Sequence, residues 1–211
     1  MPKSSEELTR ARRDEIVNAC ASLYESMSFK EITLKEIGKR TSFTRTSIYN
    51  YFQTKEEIFL ALFQREYEAW IKDLDAMRLG HETLSADAFS RELAHTLERR
   101  ERLLKLMSMN LYDMEDNSRL ENLVDFKTAY RGSLQAIENA LEKFFPQMTA
   151  ENVQDFIYAF FPFMFGIYPY TAVTPKQREA MELAGIDAAC VSVYALTSVF
   201  VSKLLHGILK M

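Results

Sequence analysis

The side chains best suited to chemistry in this chain lie between Thr33 and Lys55, in the run TLKEIGKRTSFTRTSIYNYFQTK. From Arg45 through Lys55 there is no Asp or Glu, and Arg45, Thr46, Ser47, Tyr49 and Asn50 stand close together. Such groups can meet a polyanion without repelling it. Arg45, Thr46 and Asn50 suit the edges of bases, while Tyr49 and Lys55 suit backbone phosphates. The bland alternative is an ordinary surface helix of a helical bundle, but such helices seldom carry tyrosines with no acids among them.

These residues need elements to present them, and the caps supply the elements. Thr33 followed by Glu36 is a capping-box pair, with Ile32 and Ile37 spaced as a hydrophobic staple. A helix is therefore expected after Thr33, burying Leu34 and Ile37 and the Gly38 face, and ending near Arg40 or Thr41. After a short connection (Thr41, Ser42, Phe43), Thr44 is an expected N-cap with Phe43 and Ile48 as its staple, and a second helix runs from Arg45 to Phe52. Ile48 and Phe52, four apart, share its inward face. A third start follows at Thr54, with Glu57 three residues on. Two short helices across a tight turn, the second with an outward polar face, fit a helix-turn-helix that enters the major groove of DNA.

The run IGKRTSFTRTSIYNYFQTKEEIF resembles the N-terminal DNA-binding domain of TetR-family transcriptional regulators. The resemblance rests on Lys39-Arg40, the short turn, Thr44, Ile48-Tyr49-Asn50-Tyr51-Phe52 and Lys55-Glu56-Glu57-Ile58-Phe59, and covers about residues 10 to 65. It implies that Tyr49 contacts the DNA backbone, that Lys55 contacts a phosphate, and that Thr44 caps the reading helix. The DNA-binding set expected here is Thr33, Thr44, Arg45, Thr46, Ser47, Tyr49, Asn50, Tyr51 and Lys55. One departure is Ser42, where the family commonly has glycine. A positive φ at that position would strain the turn. The resemblance also implies a repressor as the usual mode, and a two-fold dimer built from the last two long helices.

Charge is distributed to match. The net charge is −4 overall. Residues 1–55 carry ten Lys/Arg and seven Asp/Glu, a net of +3, and residues 56–211 carry sixteen and twenty-three, a net of −7. The asymmetry is modest, so specific contacts are expected rather than a broad cationic surface. Arg10, Arg12 and Arg13 could lie along a phosphate backbone or form a solvated arm. With 47% hydrophobic residues the chain can build a core, which excludes the disordered class. There is no secretory signal pattern, and the most apolar stretch, Ala188 to Ser202, is too short to span a bilayer as a helix. A cytoplasmic protein is expected, with Cys20 and Cys190 as reduced thiols. His81, His95 and His206 show no metal-ligand spacing, so neither metal nor other cofactor is expected.

Periodicity predicts an all-α chain: a helix-turn-helix domain over 1–55 and a helical effector-binding and dimerisation domain over 56–211. Helices are expected from Thr9 to Ser26, from Lys55 to Met77, from a Ser85 cap to Arg99, and on to Tyr112. After a polar break at 113–118 come helices from Arg119 to Phe145, after Thr149, from Pro175 to Gly185, and from Asp187 to Leu209. The segment Phe156 to Tyr170, FIYAFFPFMFGIYPY, is crowded with aromatics. Pro162 should bend its helix and free the Tyr158 carbonyl, and Gly166 and Pro169 should loosen and end it. Such a wall could line a pocket of Met107, Phe126, Tyr130, Phe160, Phe161, Met164, Phe165 and Tyr168, or simply pack as core. No Lys or Arg lies between Gln147 and Thr174, which favours an apolar or aromatic small-molecule effector. The last helix is apolar nearly all round, and Val193, Leu196, Phe200 and Leu204 are expected to meet a second copy.

The residues thus point to a dimeric regulator that binds double-stranded DNA. Removing Tyr49 or Lys55 should weaken that binding with the fold intact. The competing class is an all-helical enzyme or a small-molecule or lipid carrier with a helix-turn-helix-like head. Its best support is the acid cluster Asp113, Glu115 and Asp116, which no nucleophile or base accompanies.

Overall fold

The computed structural model describes residues 5–109, 111–186 and 191–210; the side chains of Arg45, Leu111 and Asp113 are also outside the description. Cys190 and the expected helix start at Asp187 therefore lie outside the described residues. The described residues form eleven helices: α1 (Ser5–Tyr24), α2 (Leu34–Gly38), α3 (Arg45–Ile48), α4 (Lys55–Gly80), α5 (Ala86–Glu98), α6 (Glu101–Met107), α7 (Leu111–Asp116), α8 (Leu120–Phe144), α9 (Ala150–Thr171), α10 (Pro175–Leu183) and α11 (Val193–Leu209). The fold is all-α, as the periodicity predicts. The chain divides into two compact units, residues 1–66 with 110–130, and residues 67–109 with 131–211.

In the first unit the apolar stripe of α1 turns inward: Ile16, Val17, Cys20, Leu23 and Tyr24 are buried. They join Ile32, Ile37, Ile48, Phe52, Phe59 and Phe63, all at 0% exposure. The Tyr24 and Phe29 rings meet Phe59 edge-on, at 5.2 and 4.8 Å between centroids. Each fully buried aromatic here contributes about 1.5–3 kcal/mol of transfer free energy, which lets three helices of five residues or so hold their places. The segment 113–118 is not the break that its polarity suggests, because α7 runs to Asp116. Met114 at 0% exposure is the anchor that makes this polar stretch worth winding.

The second unit has its own core. Trp70 on α4 is fully buried, and its indole N–H donates to Thr96 Oγ1 at 2.9 Å. The Thr96 hydroxyl in turn donates to the Leu93 carbonyl at 2.7 Å, so both buried polar groups are satisfied. Phe89 on α5 meets Phe144 and Phe145 edge-on, at 6.0 and 5.3 Å. Lys143 closes the α4 end by donating to the carbonyls of Arg78 and His81, each at 2.7 Å. Helix α11 packs on α5 and α9 through Thr197, Val201 and Leu205, spaced four apart.

Helix α9 departs from expectation. Gly166 and Pro169 do not end it: the helix continues through Pro162 and Pro169 to Thr171. The reason is their placement. Pro162, Gly166 and Pro169 all fall on the exposed face, where carbonyls left without an N–H partner can meet water. The opposite face, with Phe156, Phe160 and Met164 at 0% exposure, holds the helix to the core.

Candidate nucleic-acid interface

Thr33 begins α2 as predicted. Its hydroxyl accepts from the Glu36 N–H at 3.2 Å. The return arm of the capping box is diverted, because the Glu36 carboxylate takes the Lys39 ammonium at 2.9 Å instead. That bond, ahead of desolvation, holds the Glu36 carboxyl below the ordinary carboxylate range. Thr44 occupies the N-cap position of α3 in extended conformation, yet its hydroxyl meets Ser47 Oγ at 3.2 Å rather than a backbone N–H. The reading helix is shorter than Arg45 to Phe52. Regular helix ends at Ile48, and the chain winds on through bonds from the Tyr51 and Phe52 N–H groups to the Ile48 carbonyl, at 2.8 and 3.0 Å. Tyr49 keeps αR geometry at its end.

The direction of the side chains follows. Ile48 and Phe52 are fully buried. Thr44, Thr46, Tyr49 and Asn50 are exposed, and Ser47 and Tyr51 are half-buried. The side chain of Arg45 lies outside the described residues. The small polar face is thus outward, and Lys39 and Arg40 are also exposed.

The turn shows no strain at Ser42, since no described non-glycine residue has positive φ. It is held from α1. Glu15 accepts the Ser42 N–H through one carboxylate oxygen and the Ser42 hydroxyl at 3.1 Å through the other. The Thr41 hydroxyl lies 3.1 Å from the Gly38 carbonyl and 3.0 Å from that of Phe43. Two arginines of the N-terminal cluster also serve the head. The Arg12 guanidinium sits 5.1 Å above the Phe43 ring. Arg13 lies 4.4 Å above Phe52 and donates to the Tyr51 carbonyl at 3.2 Å. Arg10 is exposed.

Lys55 has an inward task that sequence reasoning missed. Its ammonium donates to the carbonyls of Phe29 and Ile32, at 2.8 and 3.3 Å, and lies 4.1 Å from the Phe29 ring centroid. Two of its three donors are thus engaged within the head. Glu57, part of the expected Thr54 box, is 1% exposed. Its backbone N–H donates to the Thr54 hydroxyl at 3.2 Å, but its carboxylate accepts from Gln53 N–H at 2.7 Å and from the Arg119 side chain at 2.7 and 2.9 Å. Burial pushes the Glu57 carboxyl up, and these hydrogen bonds outweigh it, leaving the group below its ordinary range. Glu15, Arg13 and Arg119 could not be found from local pattern, because each acts on a residue 27 or more positions away.

The other expected sites stand as follows. Phe126 packs on Phe63 at 4.9 Å and belongs, with half-buried Tyr130, to the first unit. Met107, Phe160, Phe161 and Met164 belong to the second unit and are core at 0–2% exposure, whereas Phe165 and Tyr168 are half-buried. Burial, aided by the charge of Glu101, raises the Tyr168 hydroxyl. Val193, Leu196, Phe200 and Leu204 are half-buried on α11, and Phe200 stacks on Phe163 of α9 at 3.9 Å. Of the acid cluster, Glu115 pairs with Lys127 at 3.0 Å and Asp116 is exposed, while the side chain of Asp113 lies outside the described residues. Among the described residues no group of three or more His, Cys, Asp or Glu is arranged to hold a metal ion, and no single helix is long and apolar enough to cross a membrane.

Residues 16–62 match the family model for bacterial regulatory proteins of the tetR family, and residues 64–210 match that for the tetracyclin repressor-like C-terminal domain. Over 74 residues the chain is 27% identical to the uncharacterized HTH-type transcriptional regulator YfiR of Bacillus subtilis (strain 168), a match spanning 35% of this chain and 36% of that relative. In overall fold it is similar to the fatty acid degradation regulator FadR from Bacillus halodurans, with a TM-score of 0.59 at 15% identity over 97% of this chain and 96% of the other. It is likewise similar to a TetR transcriptional regulator from Rhodococcus sp. RHA1, with a TM-score of 0.56 at 16% identity over 96% and 98% of the two chains. With both parts of the chain matched, and an outward polar face on a helix-turn-helix, this protein belongs to the tetR family of bacterial regulatory proteins and is an all-α DNA-binding regulator.

Proposed function

We propose that the chain works as a homodimeric repressor that reads a pseudo-palindromic operator and is released by a small apolar or aromatic effector. The observation that carries the DNA-reading part is the face formed by Thr46, Tyr49 and Asn50, exposed on a turn whose Ile48 and Phe52 are fully buried. Thr46 and Asn50, with Arg45, are proposed to meet base edges. Tyr49, Thr44 and Ser47 are proposed to meet the backbone, with Thr33, Tyr51 and Lys55 holding the frame and Lys55 keeping one donor for a phosphate.

The dimer is supported by an apolar face continuous across two packed helices. On α9, Tyr158, Pro162, Gly166 and Tyr170 are exposed, and on α11 Val199 is 53% exposed beside half-buried Leu196, Phe200 and Leu204. A two-fold axis through such a face would set two reading turns about 34 Å apart along DNA. An effector would enter the α6–α9 region, where half-buried Phe165 and Tyr168 border the enclosed Phe160, Phe161 and Met164. Its binding would favour a conformer whose half-site spacing no longer fits.

Selecting bound sequences from a random duplex pool tests the reading. A two-fold symmetric motif of two half-sites is expected. Recovery of no motif, or of a single asymmetric half-site by a chain that sediments as a monomer, would overturn it.

A further inference from the structure

We propose that Arg119, far outside the helix-turn-helix in sequence, is a positioning residue for DNA recognition: together with Glu57 and Thr54 it fixes the segment Tyr51–Thr54 that joins the reading turn to α4. The inference rests on the DNA-reading role proposed above and adds a residue to it.

The segment leaves α3 at the base of the reading turn, and three of its polar groups are held by residues outside it. The Tyr51 carbonyl accepts from Arg13 at 3.2 Å and from Arg119 Nη2 at 3.5 Å. The Gln53 N–H donates to Glu57 Oε2 at 2.7 Å. The Thr54 hydroxyl donates to the Asn117 carbonyl at 2.8 Å and accepts from Glu57 N–H at 3.2 Å. Arg119 completes the set by closing on the Glu57 carboxylate three times: backbone N–H to Oε1 at 3.1 Å, Nε to Oε1 at 2.7 Å and Nη2 to Oε2 at 2.9 Å. Glu57 is 1% exposed, so its carboxylate depends on these donors in place of water. The guanidinium fork fixes both oxygens in one plane, and through the second oxygen it fixes Gln53. A lysine would supply charge without that plane.

The consequence for recognition is geometric. Asn50 and Tyr49 precede this segment by one and two residues, so a rotation there re-aims them against a groove that tolerates little misplacement. Arg119 donates inward to Glu57 and Tyr51, and its Nη1 pairs with Glu121 at 3.3 Å, so its donors are engaged within the protein and its proposed part is orientation rather than a phosphate contact.

The test uses the full chain and the DNA motif that it selects. Arg119→Gln is expected to lower affinity for that motif about tenfold, while binding to non-specific duplex and the salt dependence of both stay as in the wild type. Amide exchange at Gln53 should quicken, and Arg119→Lys should recover affinity only in part. An unchanged affinity for the motif overturns the proposal, as does a parallel loss on specific and non-specific DNA with a shallower salt slope, which would make Arg119 a direct phosphate ligand. If Arg119→Gln melts below the working temperature, Thr54→Val takes its place, removing only the bonds at the Thr54 hydroxyl. A threefold loss of specific affinity is then expected, and no loss overturns the proposal. Failure of the wild type to select any motif would instead refute the DNA-reading function itself, so the two failures are distinguishable.

Discussion

Replacing Lys55 with methionine keeps the aliphatic stem and removes the ammonium from the carbonyls of Phe29 and Ile32. Hydrogen bonds to a charged group contribute about 1.5–3 kcal/mol each when shielded. Lys55 is half-buried, so roughly half of that applies, about 1.5–3 kcal/mol for the two. Loss of the contact with the Phe29 ring adds about 0.5 kcal/mol. For a chain of this length, each kcal/mol moves the melting temperature by about 2–4 °C, so a drop of roughly 4–14 °C is expected. The sequence alone suggests that Lys55 can be removed with the fold intact; its bonds to the Phe29 and Ile32 carbonyls lead instead to an expected loss of stability. Thermal unfolding followed by circular dichroism measures the drop. Titrations of DNA binding at several salt concentrations measure any separate phosphate role, worth a slope change of about 0.9. A melting temperature within about 1 °C of wild type, with the slope reduced by that amount, would refute the reasoning and give Lys55 to DNA alone.

Tyr49→Ala should behave in the opposite way: Tyr49 is 46% exposed at the end of α3, so DNA affinity should fall about fivefold to tenfold with the melting temperature little changed, as read by gel shift and calorimetry. Thr96→Val leaves the Trp70 indole N–H without its acceptor and should destabilise the second unit by about 1–3 kcal/mol, read by urea unfolding followed by tryptophan fluorescence. Glu57 confers a pH dependence. Its carboxyl sits below the unfolded value of 4.5, so its contribution is complete above that pH and is lost as acid takes the pH down through the lower folded value. Acid unfolding of Glu57→Gln should therefore show a flatter stability profile than wild type between pH 4.5 and that lower folded value.

Much of the head was legible because its signals are local. Caps three residues apart and apolar pairs four apart place Thr33, Ile37, Ile48 and Phe52 correctly, since these devices act within one turn. Detail failed where a distant partner outbid the local one. Glu36 turned to Lys39 and Glu57 to Arg119, and Glu15 reached Ser42 across 27 positions. Helix α9 departs from its sequence pattern for another reason. Pro and Gly are breakers only according to the face they occupy, and Pro162, Gly166 and Pro169 share the exposed one. The aromatic run of α9 carries two readings in the sequence, and the near-complete burial of Phe160, Phe161 and Met164 shows its inner face packed, with Phe163, Phe165 and Tyr168 half-buried.

The central claim is that the face around Asn50 discriminates DNA sequence. It is tested most directly by the ratio of affinities for the selected motif and for non-specific duplex, measured for the wild type and for the Thr46→Ala, Asn50→Ala double variant. Two base-edge contacts contribute about 1–3 kcal/mol each, so the ratio should fall at least about thirtyfold while non-specific affinity and its salt slope hold. A ratio unchanged by the double variant would contradict the account and place sequence reading elsewhere in the chain.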